Sequence, residues 1–202
     1  MRCRRLRRTE LPADTVALGR FLLGKIVVHD TRAGRVSGRI VETEAYPVGD
    51  AAGHAFRGMT ERNRVLFLKR GHAYVYFAYG SCFLLNVTSE TAGVGAGALI
   101  RALEPIEGIA LMERRRGTTR RRDLTRGPGR LAEALGVDLA QNGLDLCRSG
   151  PLWLATDGAP PPPIGASVRI GITRDADRVL RFYEHGTPFV SGPKRLRADR
   201  SS

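Results

Sequence analysis

The sequence predicts a single α+β domain. Stretches with strand periodicity outnumber helical ones, and neighbouring strands are joined by short turns that make antiparallel hairpins. A chain of 202 residues is long enough for one well-buried core. The domain is expected to cover 10–193, with basic, flexible tails at 1–9 and 194–202.

The elements follow in chain order. Val16 to Leu23 predicts a helix ended near Gly24. Lys25 to His29 and Val36 to Ala45 predict a hairpin around Asp30-Thr-Arg-Ala-Gly34. Pro47 to Glu61 is a glycine-rich, irregular loop that carries His54. Ala73 to Ala78 and Cys82 to Thr88 form a second hairpin, turning at Tyr79-Gly80-Ser81. Ala98 to Leu103 is an apolar strand with Arg101 inside it. A helix is expected over Glu107 to Arg116, followed by a basic loop. Gly127-Pro-Gly129 leads into a helix over Arg130 to Leu135, proline suiting the first turn. After the stiff Ala159-Pro-Pro-Pro-Pro163, short strands are expected at Ser167 to Thr173 and Val179 to Tyr183.

The formal net charge is +13, and almost all of the basic excess is arginine, lysine occurring only at Lys25, Lys69 and Lys194. Arginines cluster at Arg2 to Arg8, at Arg114 to Arg126 and, beside Lys194, at Arg195 to Arg200. Guanidinium grips phosphate bidentately, so a surface of this kind favours nucleic acid. Cys3, Cys82 and Cys147 are too few and too scattered for a disulfide framework or a zinc site, which suits a reducing cytoplasm. No apolar run is long enough to span a membrane, and no secretory core follows the basic start.

The run Gly38-Arg-Ile-Val-Glu-Thr-Glu-Ala-Tyr46 carries the most information. With period two, Val36, Gly38, Ile40, Glu42 and Glu44 share one side of a strand. Carboxylates continuing an apolar row are costly unless paired, hydrogen-bonded or protonated, so they are either structural acids held by arginines or a site of chemistry. In the second hairpin Tyr74 and Tyr76 share one face, and Val75, Phe77 and Tyr79 the other. Tyr46, Tyr74 and Tyr76 beside a carboxylate suit a flat, electron-poor ring such as a cationic purine, although core tyrosines need no such role. Tyr79 at the hairpin tip is a wedge between bases or a ring folded back on its hairpin. Arg101 must find a phosphate or an acid, Glu42 or Glu104. Asn86 is a satisfied buried amide or a discriminating contact. His54 is a base contact, a metal ligand or a loop residue, but no His, Asp and Glu spacing supports a catalytic metal.

These residues form a longer pattern. Gly38 to Tyr46, Gly53-His54 with Arg57-Gly58 and Arg62-Asn63, and Tyr74-Val-Tyr76 with Tyr79-Gly80 are followed by Asn86-Val87. Leu99-Ile-Arg-Ala-Leu-Glu-Pro105, Gly127-Pro-Gly-Arg-Leu131 and Arg181-Phe-Tyr183 complete it. In this order, from about Leu18 to Val190, they closely resemble the alkyladenine (3-methyladenine) DNA glycosylases of the methylpurine glycosylase type. The resemblance implies a compact monomer with a curved, mainly antiparallel sheet, a protruding hairpin and a few surrounding helices. It implies a base-excision-repair hydrolase that flips 3-methyladenine, 7-methylguanine or hypoxanthine out of double-stranded DNA and leaves an abasic site. Glu44 would be the general base and Arg101 would orient the water and carboxylate. Tyr46 and Tyr76 would stack on the flipped base, with His54 at its side, and Asn86 would disfavour guanine. Tyr79 would intercalate. No cofactor, metal or membrane is implied, and the place of work would be the bacterial cytoplasm, on the nucleoid. No lysine accompanies the Glu44 cluster in sequence, so direct hydrolysis without strand nicking is expected.

Tyr46 to His54 is one residue shorter than the family pattern, Glu61 stands where proline is usual, and Ser81-Cys82 are smaller than their usual counterparts. A non-catalytic nucleic-acid-binding β module, with Glu44 structural, is the alternative from another class. A metal-dependent nuclease using Glu42, Glu44 and His54 is a third reading.

Overall fold

A computed structural model of the protein describes residues 3–193. Its strands form one antiparallel sheet in the order β1 (Arg4–Arg5), β7 (Leu152–Thr156), β2 (Ile26–Thr31), β3 (Gly34–Tyr46), β6 (Gly97–Glu107), β5 (Cys82–Thr88) and β4 (Ala73–Ala78). β9 (Arg181–Glu184) pairs with β3 beyond the end of β2, and β8 (Ile164–Ser167) pairs with β9. Among the described residues four α-helices accompany the sheet: α1 (Thr15–Leu22), α2 (Ile109–Arg116), α3 (Arg121–Leu124) and α4 (Pro128–Leu135). This is the α+β class that the hairpin pattern predicts, with the sheet curled around one helical layer.

Local chemistry sets the helix ends. The Asp14 carboxylate accepts from the Ala17 N–H at 2.7 Å and caps α1. Pro128 occupies the first turn of α4, and Gly136, at φ +69°, closes it. Leu18 and Leu22 of α1, Met112 of α2, and Leu131 and Leu135 of α4 are buried against Val36, Ile40, Val75, Leu85, Ile100 and Leu103 of the sheet. Each such side chain contributes about 1.5–3 kcal/mol by leaving water.

The pleat of the two central strands is interrupted. Val41 lies between the pairs Ile40–Leu103 and Glu42–Ala102 without a partner of its own on β6. Opposite it, Arg101 lies between the pairs made by Ala102 and Ile100. An extra residue in a strand shifts its side-chain phase by one. Val36 and Ile40 therefore face the helices on one side of the bulge, and Ala45 does so on the other. The Thr43 hydroxyl likewise donates to the Gly19 carbonyl of α1 at 2.8 Å. Glu42, Glu44 and Arg101 turn to the opposite face of the sheet. The expectation that the two acids continue the Val36–Ile40 row is thus corrected, because period-two reading presumes an unbroken pleat.

Other differences are local. Residues 3–9, expected as part of a tail, are built into the fold: Arg4 and Arg5 pair with β7, and Leu6 is buried in the core. The expected tail at 194–202 lies outside the described residues. β7 was not expected, although Leu152–Thr156 is a short apolar run bounded by turn residues. Glu107 ends β6 rather than opening α2, and the basic loop after α2 contains α3. The strand expected at Ser167 to Thr173 is displaced to Ile164–Ser167, because the chain leaves the sheet after Ser167 and the Ile170 N–H is used on Glu44. Among the described residues no helix is long and apolar enough to cross a membrane.

Candidate active site

On the face away from the helices, β3 contributes Glu42, Glu44 and Tyr46, and β6 contributes Arg101. Tyr74 and Tyr76 on β4 and Asn86 on β5 extend the same face, and the loop after β3 brings His54 over it. Tyr46, His54, Tyr76, Asn86 and Arg101 all line one cavity of about 150 Å³, with Tyr79 at its mouth. Those six of the seven residues picked from the sequence are brought together by four strands, the loop after β3 and the tip of the second hairpin. The seventh, Glu44, stands directly behind the cavity wall. Its carboxylate is fully buried, and all three groups that hold it belong to residues lining the cavity.

Those three contacts define its geometry. Glu44 Oε2 accepts from the Tyr46 hydroxyl at 3.0 Å and from Arg101 Nη1 at 3.1 Å. Glu44 Oε1 accepts from the Ile170 N–H at 2.7 Å. Glu42 is held more fully. Its Oε1 accepts from Arg101 Nε at 3.1 Å, Arg181 Nε at 2.7 Å and Ser191 Oγ at 2.9 Å, and its Oε2 from the Ser191 N–H at 2.6 Å. Burial opposes the Glu42 charge, but Arg181 and Arg101 outweigh it and hold the carboxyl below the usual range. Arg101 is itself buried, at a cost to its charge, yet Glu44 and Glu42 keep it more firmly protonated than usual. Of the alternatives open for Arg101, the acid partner is the one found, and it is double.

The aromatic wall is a packed group. His54 lies 4.3 Å from Tyr76 between ring centroids, and Tyr74 lies 5.3 Å from Tyr76 with planes inclined by 31°. His54 Nδ1 and the Tyr74 hydroxyl are 2.9 Å apart. Burial, helped by the charge of Arg62, lowers the His54 pKa, so its ring is neutral at neutral pH. Burial also pushes the Tyr74 hydroxyl up to about 12. The Asn63 amide fixes the loop by donating to the carbonyls of His54 at 2.8 Å and Gly58 at 3.0 Å. Asn86 Nδ2 donates to the Tyr74 carbonyl at 3.1 Å, so this buried amide is satisfied and also forms part of the wall. Tyr79 is 81% exposed, at φ +53° on the hairpin tip, and does not fold back on its hairpin.

Several contributors escaped sequence reading. Tyr74 enters the sequence reading as an aromatic face and as part of Tyr74-Val-Tyr76, with no role toward His54, whereas its hydroxyl holds the His54 ring. Arg181 and Ser191, which fix Glu42, and Arg169, stacked on Tyr46 at 4.6 Å, come from the last third of the chain. Arg181 stands in the family pattern as Arg181-Phe-Tyr183, with no role attached to it, whereas Arg169 shows only as an arginine between Val168 and Ile170 and Ser191 carries no signal. Lys25 lies over the Phe21 ring at 5.0 Å, and neither it nor Lys69 lines the cavity.

Residues 9–188 match the family model described as methylpurine-DNA glycosylase. A relative from Mesorhizobium japonicum is 67% identical over 94% of this chain and 91% of its own length. One from Paraburkholderia phytofirmans is 51% identical over 95% and 90%, and one from Chlorobaculum tepidum 50% identical over 88% and 86%. All three carry the name "Putative 3-methyladenine DNA glycosylase". A match of this length, over a fold whose sequence-picked side chains meet at one cavity, identifies the chain as a member of the methylpurine-DNA glycosylase family.

Proposed function

We propose that this DNA glycosylase, acting as a monomer, excises alkylated or deaminated purines from duplex DNA by direct hydrolysis and leaves an abasic site in an unbroken strand. One observation carries the reading: a buried carboxylate, Glu44, stands behind an aromatic cavity and, among the described residues, is held only by groups of residues that line it.

A base within a duplex exposes neither its faces nor its sugar carbon, so it must be swung out at a cost of a few kcal/mol, roughly. Tyr79, exposed at the hairpin tip, fills the gap in the stack. The extruded base lies between Tyr46 and Tyr76 with His54 at its edge, and Asn86 crowds the exocyclic amine that guanine carries. Entry of the nucleotide displaces the Tyr46 hydroxyl from Glu44 Oε2, and a water takes that place under the guidance of Arg101. Glu44 accepts the water proton while the water oxygen bonds to C1′, and the C1′–N electron pair leaves with the base through an oxocarbenium-like transition state. An alkylated purine carries positive charge and departs readily. Neither Lys25 nor Lys69 lines the cavity, which supports direct hydrolysis over a Schiff-base route.

The test uses duplex DNA with a single hypoxanthine, with and without EDTA, for wild type and Glu44→Gln. The expected result is chelator-insensitive release that yields strand breaks only after alkali, and loss of at least about a hundredfold in the variant. Undiminished release by Glu44→Gln would refute the role of that residue. Tight binding without release by the wild type would favour the non-catalytic module.

A further inference from the structure

Behind Tyr46, on the side away from the cavity, lies an arginine that no step above uses. The Arg169 guanidinium stands 4.6 Å from the centre of the Tyr46 ring, and its side chain has no solvent exposure. Arg169 is not among the residues that line the cavity, whereas Tyr46 is. With one face of the phenol ring covered by the guanidinium, the other is left for a guest. Arg169 Nη1 is 2.8 Å from Asp50 Oδ2 and donates to the Ala45 carbonyl at 3.1 Å, and Nη2 donates to the Asp175 carbonyl at 3.1 Å. Its Nε is buried with no hydrogen-bond partner among the described residues. The charge is therefore locked in place behind the ring. Asp50, also fully buried and itself part of the cavity lining, is shared with Arg178 at 3.0 Å.

An aromatic face attracts cations through its quadrupole, and the attraction weakens when a second cation already occupies the opposite face. Damaged purines fall into two electrostatic classes: methylation at N3 or N7 leaves the nucleoside base cationic, whereas hypoxanthine is neutral. A bare tyrosine would favour the cationic class. We propose that Arg169, stacked on the back of Tyr46 and balanced by Asp50, is a specificity-determining residue that suppresses the preference of the cavity for cationic bases and so admits neutral lesions on comparable terms. The inference rests on the proposed stacking of the base on Tyr46.

The balance makes two opposite predictions. Removing the guanidinium leaves Tyr46 free to favour cations; removing Asp50 leaves the Arg169 charge less compensated and disfavours them. Single-turnover release of 7-methylguanine and of hypoxanthine, each from the same duplex sequence at saturating enzyme, would be compared as a ratio. Arg169→Met is expected to raise the 7-methylguanine to hypoxanthine ratio about three- to tenfold. Asp50→Asn is expected to lower it, and Arg169→Lys to hold it near the wild-type value. A merely structural role would lower both rates by one factor and leave the ratio unmoved in all three variants, and that outcome overturns the proposal. Should Arg169→Met fail to fold, Arg169→Gln, which keeps a donor for the Ala45 and Asp175 carbonyls, takes its place: a raised ratio supports the proposal and an unmoved one overturns it. Failure of the wild type to release either base would refute the glycosylase reading, whereas release of both with an unmoved ratio refutes this inference only.

Discussion

Glu42 and Glu44, two residues apart on one strand, draw on the same guanidinium: Arg101 donates from Nε to the first and from Nη1 to the second, each at 3.1 Å. Both carboxylates have no solvent exposure, and Arg101 is nearly as buried. Removing one partner of a buried ion pair leaves charge uncompensated, at about 3–5 kcal/mol. Arg101→Met should therefore lower stability by about that much in urea unfolding. Glu44→Gln, which keeps a polar group for Tyr46 and Ile170, should cost much less. Equal midpoints for the two variants would contradict this account of the network.

The held state of Glu42 also sets a pH dependence. Its carboxyl titrates below the ordinary range in the folded protein, whereas an unfolded glutamate takes up its proton near pH 4.3, roughly. Its contribution to stability is thus complete above that pH and fades as pH falls through the lower, folded value. Urea midpoints measured from pH 6 down to about pH 3 should fall for wild type. They should fall less steeply for Glu42→Gln, which is already weaker at pH 6. Parallel curves would show that the Glu42 proton is not linked to folding.

Tyr79 offers a clean separation of stability from function. It is 81% exposed and its backbone φ is +53°, a conformation that favours glycine. Its ring stands largely in solvent, so Tyr79→Ala should leave stability within about 0.5 kcal/mol of wild type. Base extrusion should suffer instead. With 2-aminopurine beside the lesion, the fluorescence rise on enzyme binding is expected to shrink, and release from duplex DNA to fall more than release from single strands. An equal loss on both substrates would place Tyr79 in the chemistry rather than in the stack.

Much of this site was legible because its residues stand on regular hairpins. Tyr74 and Tyr76 were assigned to one face by period two, and they do share it, 5.3 Å apart between ring centroids. Period two failed where the pleat breaks. The bulge at Val41 and its counterpart at Arg101 carry no glycine or other local marker, being set by pairing between strands far apart in sequence. The same limit hid the roles of Arg181, Ser191 and Ile170, which arise only when the last third of the chain folds over β3. β1 escaped because a run of arginines reads as solvated, yet Leu6 within it is 1% exposed and anchors the segment.

Gly95 ties the shape of the cavity to the position of His54. The glycine lines the cavity, and a Cβ placed on it would fall 2.5 Å from Phe67 Cζ and 2.7 Å from Ala55 Cβ. Both contacts are too close to exist, so Phe67 or the loop carrying Ala55 must move. Ala55 is the neighbour of His54, whose ring packs 4.3 Å from Tyr76. Gly95→Ala should therefore cost about 1–3 kcal/mol by overpacking, and it should also lower hypoxanthine release by displacing His54 from the wall. Gly150, with nothing near its would-be Cβ, supplies the control, since Gly150→Ala should change neither quantity. Shortening the ring that obstructs the methyl group should restore room, so Phe67→Leu in the Gly95→Ala background should recover release relative to Gly95→Ala alone. Two such neighbours are expected to couple non-additively. Additive losses in that double-mutant cycle would show that the glycine matters for some reason other than the space its missing methyl leaves to Phe67.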